Sequence, residues 1–196
     1  MLIESVLVVT LFGQVQAPSA FNAYASHLEP RVMRVGYRLQ DQSYFRNLTY
    51  PFRAKAYPGQ RSLQFKDGRY DDRLGLNGGE IDWSTELERQ EPILLDQDRA
   101  VLLMFFANHI GGTGSVSHVL VIRCKEGLLE IVFEANGEGL RSSYSGTRDL
   151  QITHPLWAPD DSHASPSRLV DERYRWNTSR ARFVLIRRSE SEINGR

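Results

Sequence analysis

The run from Asp98 to Ala135, DRAVLLMFFANHIGGTGSVSHVLVIRCKEGLLEIVFEA, decides the fold class. It holds three apolar segments of strand length, Ala100 to Ala107, Val116 to Cys124 and Leu128 to Ala135, separated by Asn, Gly and Ser punctuation. No helical periodicity of adequate length lies between them, so the crossover of a parallel unit is absent and an antiparallel meander is expected. The connection Lys125-Glu126-Gly127 is short enough to set the last two strands side by side. Glu130 and Glu134 alternate with Leu129, Ile131 and Phe133 and are expected to share the wetter face of their strand.

Outward from this run the pattern continues. Ile93-Leu94-Leu95 adds a short apolar segment upstream, and Arg182 to Arg188 (RFVLIRR), after the polar turn Asn177 to Arg180, is expected to close the sheet. Ser62 to Tyr70 alternates at Leu63 and Phe65 and turns at Asp67-Gly68, a hairpin signal. Residues 71 to 92 carry Asp71-Asp72, Gly75, Gly78-Gly79 and Pro92, which predicts a long connection with one short helix at Ser84 to Gln90. Arg31 to Leu39 alternates loosely, as a strand with one wet face does, and the stretch PSAFNAYASHLEP ending at Pro30 has the cap and stop of one or two helical turns. The expected fold is therefore mainly β: a single antiparallel sheet, a meander that is curled or sandwich-like, with one or two short helices. One domain is expected over residues 1–196, its first 60 residues the most loosely specified.

Composition bounds the partners. The 196 residues carry 24 basic and 24 acidic side chains, and this zero net charge removes the long-range attraction that a basic chain has for nucleic acid or anionic membrane. No specific nucleic acid is expected, and no transmembrane segment; a protein or small-ligand partner fits better. The basic set is 21 Arg and only 3 Lys, a composition suited to fixed carboxylate networks or anion contacts. Cys124 is the single cysteine, which excludes an internal disulfide and any multi-cysteine metal site. The opening MLIESVLVVTLFGQVQA has an apolar stretch and a small-residue Val15-Gln16-Ala17, but Glu4 interrupts it and no basic residue precedes it. Residues 1–30 are thus either leader-like or a packed N-terminal segment.

Two segments hold the candidate contact residues. Asn108, His109, Gly111, Gly112, Thr113, Gly114 and Ser115 join two strong strands, and glycines at this density let backbone N–H groups converge on an anion, although no P-loop lysine follows. His154, Asp160, Asp161, His163 and Arg168 lie in a second polar segment. Their spacing matches no helical metal-ligand pair, so neither metal nor cofactor is expected. No GxSxG elbow is present, and no catalytic residue is assigned; a hydrolase using His109, His154 or His163 is the alternative. From Arg168 to Arg188 seven arginines interleave with Tyr174, Trp176 and Phe183, which suits either a polyanion-binding face or arginine networks with Asp171, Glu172 and Glu190.

Taken in order, Phe65-Lys-Asp-Gly-Arg-Tyr70, Asp96 to Phe105, Gly111 to Ser115, His154-Pro155 with Pro159-Asp160-Asp161, and Pro166-Ser167-Arg168 with Tyr174-Arg-Trp176 carry a resemblance. Residues 48 to 188 resemble a group of bacterial exported proteins and lipoproteins of uncharacterised function. The resemblance implies a β fold and an address outside the cytoplasm, periplasmic or secreted, and it implies no reaction. The chain departs from that group in lacking the glycine of its calcium-type turn at Asp96 and Asp98, and in carrying Ala164 and Ser165 where members have adjacent cysteines. The sequence-level expectation is a non-catalytic binding or structural module of the bacterial envelope or secreted space, presenting the 108–115 and 154–168 segments.

Overall fold

The protein is described by a computed structural model over residues 24–26, 31–33, 42–51, 62–76, 79–96, 98–109, 115–125, 128–146, 148–159, 161–162 and 165–193. The elements are β1 (Tyr24–Ser26), β2 (Arg31–Met33), α1 (Gln42–Arg46), β3 (Thr49–Tyr50), β4 (Leu63–Gln64), β5 (Arg69–Leu76) and β6 (Gly79–Leu95). They continue with β7 (Asp98–His109), β8 (Ser115–Lys125), β9 (Leu128–Gly137), β10 (Arg141–Ser145), β11 (Asp149–Leu156), β12 (Arg168–Asn177) and β13 (Arg182–Glu192). The architecture is mainly β and antiparallel throughout.

The single sheet expected from the sequence is replaced by three. A seven-stranded sheet has the order β1-β9-β8-β7-β6-β5, with β2 also on β9; a four-stranded sheet has the order β10-β11-β12-β13; β3 and β4 form a two-stranded ribbon. The meander over β7, β8 and β9 is present, but the chain leaves that sheet after Gly137. It turns through Glu138 and Gly139, whose positive φ of 61° favours glycine, and β10 then pairs with β11 alone.

Two-sided burial is the physical reason for the extra sheets. Along β7, Val101, Leu103, Phe105 and Ala107 face one core with Leu87, Leu120, Ile122, Leu129 and Ile131. Ala100 and Leu102 face a second core with Val119, Val121, Phe133 and Ala135. The first core is covered by Phe45 and Leu48 from α1 and its exit and by Tyr50, Leu63 and Phe65 from the ribbon, with Tyr50 and Phe65 ring centroids 4.9 and 5.1 Å from Phe105. The second core is covered by Leu150, Ile152, Tyr174, Trp176 and Phe183 from the four-stranded sheet. Apolar side chains on both faces of one sheet require a cover on each.

Three local expectations are corrected. Ser84 to Gln90 is strand within β6, and residues 71–76 lie in β5, which pairs with β6 from Leu76↔Gly79 to Arg69↔Glu86. The segment's helix formers lose to pairing with β7, and Glu88 is taken up as a bulge between Leu87 and Arg89. Tyr24–Ser26 is a strand on β9 where helical turns were expected, whereas the five-residue α1 arises elsewhere, so among the described residues there is one short helix. Glu130 and Glu134 do not share a face. A bulge places Phe133 opposite Val121 and Ile131 opposite Ile122, so Glu130 lies with Arg123 above Trp176, while Glu134 lies opposite Leu120 in the first core with 2% exposure. Residues 34–39, the rest of that predicted strand, lie outside the described residues.

The four-stranded sheet is fastened to the seven-stranded one at Asp96. Its backbone has φ 57°, and its carboxylate accepts from Trp176 Nε1 (3.0 Å) and Thr178 Oγ1 and pairs with Arg148 at 2.6 Å. Arg123 adds a guanidinium 5.3 Å from the Trp176 ring centroid, held by Glu130 at 3.0 Å. Among the described residues, no helix is long and apolar enough to cross a membrane.

Candidate anion-binding face of the four-stranded sheet

The alternation of β12, Asp171-Glu-Arg173-Tyr-Arg175-Trp, sends Tyr174 and Trp176 into the second core and Arg173 and Arg175 outward. Register carries the same alternation across the sheet. Ser143, Gln151, Arg173 and Arg187 form one outward row, Ser145, Asp149, Arg175 and Val184 the next, and Arg141, Thr153, Asp171 and Ser189 a third. With Arg182 opposite Asn177, this face carries five arginines (141, 173, 175, 182, 187) and two aspartates (149, 171) in a chain of zero net charge. A depression of about 470 Å³ opens on it, lined by Ser143, Gln151, Asp171, Arg173, Arg187 and Ser189 among others.

Asp149 organises the arginines. It is 3% exposed and accepts from Arg173 Nε at 2.7 Å and from Arg175 Nε and Nη2 at 2.8 and 3.1 Å. The Arg175 hydrogen bonds foremost, with those of Arg173, hold its carboxyl below the usual carboxylate range against the opposing effect of desolvation. Asp171 accepts from Thr153 Oγ1 at 2.5 Å. Arg187, directly opposite Arg173, has no ion pair or side-chain hydrogen bond among the described residues. Two guanidinium groups thus stand side by side, Arg173 held by Asp149 and Arg187 without a carboxylate among the described residues.

Replacing Asp149 by Asn is expected to destabilise the fold at pH 7 by about 1–2 kcal/mol, the scale of charge-assisted hydrogen bonds to partly solvated partners. Because the folded carboxyl titrates below its unfolded value, the contribution is present above that value and is lost as pH falls through the folded one. Urea unfolding of wild type and Asp149→Asn should therefore differ at pH 7 and converge toward pH 2.

Of the two segments singled out in the sequence, the residues that the structure describes fall elsewhere. Asn108 pairs with Ser115 across the β7–β8 end and is exposed, and the backbone of His109 pairs with Trp83. Gly111, Gly112, Thr113 and Gly114 lie outside the described residues, as do Asp160 and His163. His154 is in β11 rather than in a loop. It is buried, with Nδ1 3.1 Å from the Pro155 carbonyl oxygen. Asp161 accepts the backbone N–H groups of Ala158 and Ser167, each at 2.7 Å, and so ties the connection between β11 and β12 together. Arg168 pairs with Glu190 at 3.4 Å, and Arg188 with Glu172 at 3.4 Å and Glu190 at 3.3 Å. Of the seven arginines from 168 to 188, Arg180, Arg182 and Arg187 lack a carboxylate among the described residues. No group of three His, Cys, Asp or Glu among the described residues is placed to hold a metal ion.

Comparison with known proteins finds no matching family model, no matching curated protein and no matching solved structure.

Proposed function

We propose that this protein is a non-catalytic binding module of the bacterial periplasm or secreted space, and that the outer face of its four-stranded sheet holds an acidic saccharide. The observation that carries the reading is Arg187, a guanidinium with no carboxylate partner, directly across from Arg173 on the wall of a polar depression. A planar guanidinium matches a carboxylate or sulfate bidentately. Around it, Ser143 and Ser189 hydroxyls and the Gln151 amide both donate and accept, and Asp171 accepts, a mixture that suits the hydroxyls of a sugar. Asp149 fixes Arg173 and Arg175 in advance, so less side-chain freedom is lost on binding. Of the three histidines of the hydrolase alternative, His154 is buried in β11, and the side chains of His109 and His163 lie outside the described residues. The address is supported by the resemblance over residues 48 to 188.

The test is calorimetric titration with polygalacturonate, with neutral dextran as control. Wild type is expected to bind the acidic polymer and not dextran, and Arg187→Gln to bind at least tenfold more weakly, equivalent to about 1.4 kcal/mol. Affinity should also fall as salt rises. Equal binding by wild type and Arg187→Gln, or none by wild type, refutes the assignment.

A further inference from the structure

The two large sheets meet along a seam that no backbone pairing crosses among the described residues. β6 is covered by β5 only as far as Glu86, and the last backbone bond on that side runs from Leu87 N–H to the Gly68 carbonyl at 2.7 Å. From Glu88 to Leu95 the edge of β6 away from β7 has no backbone partner among the described residues. Across the seam lies β10, itself an edge strand, bonded on its other side to β11. Side chains alone bridge the gap: Arg89 Nη1 donates to the Ser142 carbonyl at 2.9 Å, and Tyr144 OH to the Leu94 carbonyl at 2.5 Å.

Alongside this seam is a depression of about 560 Å³ lined by Pro92, Ile93, Leu94, Arg99, Tyr144 and Gly146 among others. Its walls are mostly apolar, and Leu94 remains 63% exposed. A Cβ added at Gly146 would meet no atom within 4 Å. Of the charges at its rim, Glu91 is paired with Arg89, whereas Arg99 has no carboxylate among the described residues. A strand edge and a guanidinium without partners among the described residues, beside an apolar wall, together define the chemistry of an occupant. The edge supplies main-chain hydrogen bonds on either side of Pro92, which has no N–H, the wall takes alternate side chains, and the cation selects a carboxylate.

We infer that this seam is a docking site for an extended acidic peptide, which adds as a strand to the Glu88–Leu95 edge of β6 with an apolar side chain against Ile93 and Tyr144 and a carboxylate on Arg99. The site is separate from the saccharide face, and its failure leaves that reading untouched. The probe is a fluorescein-labelled hexapeptide of alternating valine and glutamate, with the valine–lysine hexapeptide as control, followed by fluorescence polarisation and amide hydrogen exchange. The glutamate peptide is expected to bind, to slow exchange of the Gln90 and Leu94 amides, which face away from β7 on either side of Pro92, and to bind at least tenfold more tightly than the lysine peptide. Gly146→Trp, placed in open space where it leaves folding intact, should abolish binding, and Arg99→Glu should reverse the charge preference, while Arg187→Gln changes neither. Absence of binding to wild type, binding indifferent to Gly146→Trp, or protection at the β13 edge instead would overturn the proposal. So would protection of the β6 amides that grows with protein concentration in the absence of peptide, since that would assign the edge to a second copy of the chain.

Discussion

Replacing Phe105 with alanine is expected to lower the unfolding free energy by about 3–5 kcal/mol, the range for truncating a buried aromatic side chain. Phe105 is fully buried at the middle of β7, where three layers of chemistry meet. Its strand partners are Leu87 on β6 and His118 on β8, and its ring packs on Tyr50 and Phe65 from the ribbon, which also lie edge-on to each other at 5.4 Å. Tyr50 is itself held by its hydroxyl, which donates to the Phe45 carbonyl, so the aromatic cluster has little freedom to collapse into a cavity. A loss this large is a substantial share of the roughly 5–15 kcal/mol that holds a typical domain. Urea unfolding should show a lower midpoint with an unchanged slope. Phe105→Leu keeps most of the volume and should cost about 1.5 kcal/mol or less. A loss under about 1 kcal/mol for the alanine variant would mean that the ribbon and α1 do not seal this face.

The same residue shows how much of the fold the sequence made legible. Strand after strand is visible as an apolar run, and the short turn at 125–127 correctly sets β8 beside β9. The run Ala100 to Ala107 is apolar at nearly every position rather than at alternate ones, which is the mark of a strand buried on both faces. That feature already demanded a cover above and below the meander, and a single sheet supplies neither. Which segments form the covers was not legible, because it turns on a positive-φ glycine at 139 and on pairing between residues far apart in the chain. The strand at Ser84 to Gln90 was hidden for a different reason: Glu, Leu, Arg and Gln favour helices locally, and only the long partner β7 outweighs them. Bulges defeat simple alternation as well, and one extra residue in β9 sends Glu130 and Glu134 to opposite faces.

The candidate site was legible in its parts and not in its assembly. Alternation in Arg173-Tyr-Arg175-Trp176 fits an outward arginine row, and of the expected arginine networks those with Glu172 and Glu190 are present, whereas Asp171 accepts from Thr153 and pairs with no arginine among the described residues. Asp149, which holds two of those arginines, is 24 and 26 residues away from them in sequence and has no local signal. Arg187 stands out only once register sets it against Arg173 and shows that no carboxylate reaches it. Glycine-rich and histidine-bearing segments stand out in a sequence because loops carry recognition, whereas the arginine-bearing face of the four-stranded sheet is built on strands, where alternation spreads its residues along the chain.

Acid is expected to destabilise the protein through His118. Its imidazole is fully buried beside Phe105, and burial pushes it down to about 3. Above pH 6.5 it is neutral whether the chain is folded or not, and it contributes no pH dependence. Below that value the unfolded chain takes up a proton that the folded one refuses, so stability falls by about 1.4 kcal/mol per pH unit until the folded imidazole also protonates near pH 3. By pH 4.5 the loss from this one residue is about 3 kcal/mol. Urea unfolding at pH 7.0 and 4.5 separates it from other acid effects when wild type is compared with His118→Gln, which keeps a neutral polar side chain at the position. Wild type should lose about 3 kcal/mol more than the variant over that interval. Asp149, whose carboxyl is held below the usual range by Arg175 and Arg173, is present in both chains and cancels in the difference. A parallel loss in both chains would show that the imidazole accepts a proton inside the fold, and would move the acid sensitivity of the protein to its carboxylates.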